Sequence, residues 1–369
     1  MSYKGRYAAP KKPMSKRRTI VITIVLILLA LLLAAVACAA YWWYSTIGKL
    51  NFANNNDATF SAEEQASIEH YFEIDEDLAE DKTQPTDALV DDPDDYIQNS
   101  SNVINILLIG QDMREGQSWK LSDSMILCTI NTDEKTLTMT SFLRDMYVKL
   151  PNYNGDGIEH KCGYNRINTC YSLGYLWNGT IGAMEMLDQC LLENFGVQVD
   201  YNVEIDFVAF AEVVDIMGGV DIELTKAEAN HLNKNTNWGL KVGLNHLNGQ
   251  QALAYARIRK IDNDFYRTNR QRTVMNALLE KCRSLSLTEM NELLQTVLPM
   301  ITTDMSSSVI TEYALELLPL IPELEVVSQA IPAEGTYHYA NKGTEDEPME
   351  VIIPNLEKNR EILAGTIGG

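Results

Sequence analysis

The feature that most constrains this chain is the stretch from Thr19 to Ala40, TIVITIVLILLALLLAAVACAA, 22 residues without a charge. As a helix it would span roughly 33 Å, enough to cross the hydrocarbon core of a bilayer. Lys4, Arg6, Lys11, Lys12, Lys16, Arg17 and Arg18 precede it with no acid in between, and Trp42, Trp43 and Tyr44 follow where an interfacial aromatic belt would sit. A cleaved signal peptide is the competing reading, favoured by the small residues at Ala37–Ala40. Signal apolar regions run only about 7–15 residues, however. Lipid attachment at Cys38 is disfavoured by Ala35 three places before it. The expectation is a single-pass cell-membrane protein. It has a cytoplasmic basic tail (1–18), a transmembrane helix (19–41), an acidic extracytoplasmic spacer (42–102) and one outer domain (103–369).

Charge narrows the function classes. The net charge is −21, and most of the basic residues that could meet a polyanion are scattered or sit in the tail. Such a chain is a poor general nucleic-acid binder. Eighteen residues inside the cell are too few for a helix-turn-helix, which excludes direct regulation of DNA. The spacer is dense in acid, including DDPDD at 91–95, and SAEEQASIEHYF predicts a short helix with Ser61 as cap and Glu64 three residues on. Cys162, Cys170 and Cys190 are close enough for one disulfide, and spacing does not say which. No Cys or His set has zinc spacing, and the five histidines are scattered.

Regular structure begins at Val103. VINILLIG (103–110), SMILCTIN (124–131) and LTMTSFL (137–143) are apolar runs that predict strands. A helix is expected over 180–195, a strand at YNVEID (201–206), a helix over 207–217, a strand at VDIEL (220–224) and a long helix over 264–284. Two helices within 288–320, strands at EVVSQAIPA and MEVIIPN, and a last helix over 355–364 complete the series. Alternation of this kind gives an α/β domain with a mixed central sheet covered by helices.

The chemistry concentrates in AYARIRKIDNDFYRTNRQRT, 254–273. Arg257 and Arg259 share one side of an extended segment, while Asp264, Arg267 and Gln271 share one face of the helix that follows. Guanidinium groups match phosphate oxygens in a planar fork, so their convergence suits a di- or polyphosphate. Solvated ion pairs with Asp262 and Asp264 are the plainer explanation of the same residues. Arg144 follows an apolar strand, where α/β ligand sites form, although Asp145 could simply pair with it. Asp112 and Asp123, at adjacent strand ends, are spaced to hold one hard divalent cation, or are merely turn aspartates. Walker A, GxSxG, HExxH and GxGxxG motifs are missing.

In order, NILLIGQD (105–112), LSDSMILCTIN (121–131), SFLRDMYV (141–148), GYNRINTCYSLG (163–174), VDYNVEIDFVAFAEVVDIMGGVDIEL (199–224), GLNHLNGQQALAYARIR (243–259) and DFYRTNRQR (264–272) resemble the LytR–CpsA–Psr (LCP) family of membrane-anchored wall-polymer ligases. The resemblance covers about 103–366. It implies an LCP-type α/β/α domain and a phosphotransferase. Such an enzyme moves an anionic or secondary wall glycopolymer (teichoic acid, capsule) from an undecaprenyl-pyrophosphate carrier to peptidoglycan, at the outer face of a Gram-positive-type membrane. Carried over by position, Arg144, Arg257, Arg259, Arg267 and Gln271 contact the pyrophosphate, and Asp112 and Asp123 hold Mg²⁺ or Mn²⁺. Asp264 orients the arginines, assists the metal or serves as general base, and the lipid tail lies in an apolar tunnel between sheet and helices. Arg166, Asn168 and Tyr171 are expected at the headgroup or acceptor, with Arg166-Ile167-Asn168 standing where Lys-Ile-Asn is usual. The alternative is a non-catalytic polyprenyl-phosphate or wall-glycan binding module with the same fold.

Overall fold

The computed structural model describes residues 34–55, 57, 58, 60–71, 89–90, 96–97, 100–112, 121–317, 319–342 and 348–367. Most of the expected transmembrane helix and all of the basic tail lie outside these residues. The chain divides into two compact units, 1–48 and 49–369. In the first, residues 34–47 are helical (α1). Among the described residues no helix is long and apolar enough to cross a membrane.

The second unit is built on a seven-stranded mixed sheet. In chain order its elements begin with β1 (Asn51–Phe52), α2 (Ala62–Tyr71), β2 (Val103–Asp112), β3 (Leu121–Asn131), β4 (Thr136–Phe142), β5 (Tyr147–Lys149) and β6 (Tyr164–Arg166). They continue with α3 (Thr169–Phe195), β7 (Tyr201–Asp206), α4 (Phe207–Ile216), β8 (Val220–Leu224), α5 (Lys226–Asn233), β9 (Gly243–Leu247), α6 (Gly249–Ala256) and α7 (Asp264–Ser284). Last come α8 (Leu287–Val297), β10 (Ile301–Thr303), α9 (Ser307–Leu317), β11 (Glu325–Ile331), β12 (Tyr337–Asn341), β13 (Glu350–Pro354) and α10 (Leu356–Ile367). The sheet order is β1-β10-β7-β2-β3-β4-β11, with β2-β3-β4 an antiparallel meander and β7 and β11 parallel to their neighbours β2 and β4.

The meander strands are nearly continuous in apolar residues because both faces are covered. Leu107, Ile109, Met125, Leu127 and Phe142 point to one face, against Leu173, Leu187 and Leu191 of α3 and Leu363 of α10. Ile126, Cys128, Ile130, Leu137 and Met139 point to the other, toward Met275 and Leu279 of α7 and Leu317 of α9. The expected mixed α/β architecture is the one observed.

Three departures bear on the site. The folded unit starts before Val103: β1 pairs with β10, Asp57 accepts a bond from the Thr180 amide at 2.9 Å, and Ile68 of α2 is buried in the core. The acidic stretch is thus partly domain rather than all spacer, its apolar residues giving it something to bury. Ser61 and Glu64 cap α2 as expected, Ser61 N donating to Glu64 Oε2 at 2.9 Å. Helix α3 begins at Thr169 rather than at 180 and folds on itself at Asn178 and Gly179, where Gly179 has a φ of +61°. There the two arms come so close that Gly174 and Gly182 have room for no side chain. The three cysteines of interest are free thiols, Cys170 and Cys190 fully buried.

Candidate active site

The site forms where β2, β3 and β7 end beside the start of α7. Between Gly110 and Gln111 the partner on β3 jumps from Ser124 to Ser122, so Asp123 is the extra residue of a β-bulge. A bulge re-aims a side chain out of strand alternation. Here it buries the Asp123 carboxylate, at 4% side-chain exposure, between two arginines. Arg144, in the turn after β4, donates Nη1–H to Oδ1, and Arg259 donates Nη2–H to Oδ2 at 2.7 Å. Burial pushes the Asp123 pKa up, but the Arg144 and Arg259 charges outweigh it and hold the carboxyl below its ordinary value.

Arg259 and Arg257 sit on the loop between α6 and α7, and a buried arginine fixes that loop. Arg270 donates from Nη1 to the Ile258 carbonyl at 3.1 Å, from Nε to Glu228 Oε1 at 2.7 Å, and from Nη2 to the Asp262 carboxylate. The five arginines of the motif therefore divide. Arg257, Arg259 and Arg267 face the site, Arg270 braces the loop behind it, and Arg272 is buried with its Nη2 donating to Asn269 Oδ1 at 3.5 Å.

Arg267 is the deepest cation. Its Nη2 lies 2.6 Å from Asp264 Oδ1, one turn earlier on α7. Its Nε and Nη1, and Asp264 Oδ2, are buried without a hydrogen-bond partner. Burial, and the neighbouring Arg144 and Arg259, bring the Arg267 pKa down to about 10 against the pull of Asp264. Asp264 is raised, chiefly by burial, despite Arg267. Side-chain exposure increases from 2% at Arg267 through 16% at Arg144 to 36% at Arg259, so the cluster opens on the Arg259 side. Asp145 adds a carboxylate 3.5 Å from both Arg144 Nε and Arg166 Nε.

Next to the cluster lies an apolar cavity of about 250 Å³. Its walls are the second sheet face (Leu108, Ile126, Val203, Ile205) and helices α4, α6 and α7 (Phe210, Leu253, Met275, Leu278). Its polar end is Ser124, Arg257 and Gln271. Ser124 Oγ donates to Gln271 Oε1 at 3.3 Å, and the Arg257 guanidinium lies 4.7 Å from the Phe207 ring centroid. A molecule with an apolar chain and an anionic head fits this juxtaposition.

Seven of the residues picked out by the motifs are thereby brought together: Asp123, Arg144, Arg257, Arg259, Asp264, Arg267 and Gln271. Arg166 borders the cluster, donating from Nη2 to the Glu350 carbonyl at 2.8 Å. Tyr171 does not join it, and Asn168 meets it through its backbone, its amide donating to the Arg144 carbonyl at 3.4 Å. Asn168 is buried ahead of α3, and Tyr171 is fully buried with its hydroxyl donating to Glu204 Oε2 at 2.6 Å. Tyr171, expected at the headgroup or acceptor, is instead a core residue. Asp145 pairs with Arg144 as its place in the motif suggested, whereas Ser124, Phe207 and the bracing Arg270 were not singled out from sequence. Only Arg270 carried a signal, as a cation facing away from the Asp264–Arg267–Gln271 side of α7.

Both Asp123 oxygens are held by guanidinium groups, and no set of three His, Cys, Asp or Glu side chains among the described residues is placed to hold a metal. Asp112 ends β2 opposite Leu121, and its side chain lies outside what is described.

The LytR_cpsA_psr family model matches residues 63–352, over three quarters of the chain. The chain belongs to this family. Among curated relatives, it is 33% identical over 189 residues to the polyisoprenyl-teichoic acid–peptidoglycan teichoic acid transferase TagT of Bacillus subtilis (strain 168), covering 49% of this chain and 53% of TagT. It therefore spans about half the length of that relative. It is 26% identical over 264 residues to the regulatory protein MsrR of Staphylococcus aureus (strain COL), covering 70% of this chain and 73% of MsrR. Among solved structures, TagT bound to LIIa-WTA is 26% identical with a TM-score of 0.54, covering 75% of this chain and 93% of that one.

Proposed function

We propose that this LCP protein transfers a wall glycopolymer from a polyprenyl-pyrophosphate carrier to peptidoglycan, at the outer face of the membrane in which its N-terminus is anchored. The observation that carries the reading is the apolar cavity ending on an arginine cluster whose deepest member has donors without partners. The lipid chain lies in the cavity, the pyrophosphate on Arg144, Arg257, Arg259, Arg267 and Gln271. The likeness to TagT, a polyisoprenyl-teichoic acid–peptidoglycan teichoic acid transferase, supports the same reaction class.

In the proposed reaction a hydroxyl oxygen of peptidoglycan attacks the phosphorus that bears the glycan. The bond from that phosphorus to the bridging oxygen breaks, and lipid monophosphate leaves with the bonding electrons. Fixed guanidinium groups stabilise charge as it develops on the transferring and leaving phosphates. The hydroxyl proton passes to Asp264, whose raised pKa and unpartnered Oδ2 suit a general base. Asp112 and Asp123 would hold a magnesium ion, each Asp123 oxygen having a lone pair beyond the one its guanidinium bond uses, and the ion would supply further positive charge to the transferring phosphates.

The test uses full-length protein in nanodiscs with a lipid-pyrophosphate glycan and peptidoglycan oligomers, following lipid monophosphate by mass spectrometry. Acceptor-dependent release that vanishes in Arg259→Ala supports the ligase. Tight lipid binding without release, across several glycans and acceptors, supports the binding-module alternative.

A further inference from the structure

The β12–β13 hairpin is fastened to the turn that carries Arg144. The Ile352 amide donates to the Asp145 carbonyl at 2.9 Å, Met146 bridges to Ile352, and Arg166 Nη2 reaches the Glu350 carbonyl at 2.8 Å. On this hairpin Tyr337 and Tyr339 are two residues apart and so share a face. The Tyr337 ring stacks on Phe265 at 4.8 Å and 28°, and meets Tyr339 edge-on at 5.6 Å and 89°. Phe265 is the residue after Asp264, so the aromatic row starts beside the Asp264–Arg267 pair and runs outward. It ends on Tyr339, which is 48% exposed. Burial, and after it Tyr337, Glu350 and Asp264, hold the Tyr339 phenol above its ordinary pKa, so the ring stays neutral within the field of Asp264.

We infer that Tyr337 and Tyr339, with Arg166 beside them, form the subsite that binds a sugar ring of the acceptor glycan. The inference rests on the proposed transfer reaction and adds to it the place from which the nucleophile comes. A pyranose has one flat face of C–H groups and a rim of hydroxyls. A half-exposed tyrosine offers the complement, an apolar ring face with a polar tip, at small entropic cost. Arg166, a third exposed, supplies donors at the rim.

Geometry separates acceptor from donor. The apolar cavity opens from the sheet face bearing Leu108 and Ile126, whereas Phe265 and Tyr337 pack on the cluster that contains Leu107 and Ile109. The lipid cavity and the aromatic row thus have different linings, neither Phe265 nor the tyrosines being among the cavity's walls. Displacement at phosphorus places the entering and leaving oxygens roughly in line, so the attacking sugar has to come from the side away from the lipid. A row apart from the cavity can serve that side.

The test measures binding, which does not depend on turnover. Full-length protein in nanodiscs is titrated with muramidase-released peptidoglycan disaccharides by saturation-transfer NMR, and separately with a polyprenyl phosphate by calorimetry. Tyr339→Ala should weaken disaccharide binding roughly tenfold, Tyr339→Phe should retain most of it, and both should bind the polyprenyl phosphate as the parent does. A parent protein that does not bind the disaccharide, or a Tyr339→Ala variant that binds it equally well, overturns the inference. Loss of polyprenyl-phosphate binding by the parent would instead strike at the transferase reading, and the disaccharide titration would still decide this one.

Discussion

Arg267→Met replaces a buried cation by an apolar side chain of similar length. Arg267 is 2% exposed and has one ionic partner, Asp264, while its Nε and Nη1 have none. Breaking a buried ion pair costs about 3–5 kcal/mol. Removing two buried, unsatisfied donors returns about 1–3 kcal/mol each, and the abandoned Asp264, already raised by burial, is free to take up a proton. Folding stability should therefore lie within about 3 kcal/mol of the parent, measured from the urea midpoint at fixed slope. Ligand binding should not be spared. Two charge-assisted hydrogen bonds at about 1.5–3 kcal/mol each correspond to a loss of roughly 10²–10⁴ in affinity for a polyprenyl pyrophosphate. Calorimetry on the full-length variant measures it. A variant that is strongly destabilised yet binds the lipid normally would refute the reasoning, because Arg267 would then be a structural ion pair and nothing more.

Other outcomes follow from the same geometry. Ala256→Trp puts an indole into a cavity of about 250 Å³ and should block lipid capture with little change in thermal stability; normal lipid affinity would mean the tail lies elsewhere. Transfer should fall as pH drops through the raised pKa of Asp264, because a general base must be ionised, and in Asp264→Asn transfer should be lost while lipid binding persists. Asp188 is raised well above its ordinary value, mainly by burial, so stability falls as pH rises from the ordinary carboxylate range to that raised value and stays lost above it; Asp188→Asn should stabilise the protein at neutral pH and flatten that fall. Gly174→Ala should cost about 3 kcal/mol or more, since the added methyl meets backbone of the facing arm of α3 that cannot move aside, and a smaller loss would show the two arms to be loosely packed. Chelation of divalent cations should stop transfer, which the proposed magnesium serves, while lipid binding on the arginines persists; transfer unchanged by chelation would remove the metal from the reaction.

Much of the sheet was legible because burial on both faces writes itself as apolar runs. YNVEID and VDIEL were bounded correctly, and α7 was found from end to end. What escaped was structure that sequence disguises. The SDS at 122–124 reads as a turn before a strand, yet it lies within β3 at a bulge that turns Asp123 inward. YHYAN lacks alternation of apolar and polar residues, so β12 went unseen, and with it the aromatic row. Asn178-Gly179 lies just before the helix expected over 180–195 and is instead a fold between the two arms of a longer α3. The arginines that converge were legible because they share a short motif and a helix face. The cavity wall was not, since it draws on four strands and several helices that only the fold brings together.

The order of strands also has a kinetic side. The meander β2-β3-β4 closes through short turns, but β11 joins β4 across 189 residues, Gln329 donating to Thr140 Oγ1 at 2.9 Å. The Asp123–Arg259 pair spans 136 residues. Contacts of such long range form late, after loop closure has been overcome. A domain that emerges from its N-terminal side first, as the proposed anchoring requires, would have its meander and bulged aspartate in place while most of the site's arginines were still to emerge. The anion site would come into being only near the end of folding, so that an incompletely exported or stalled chain would hold no carrier lipid.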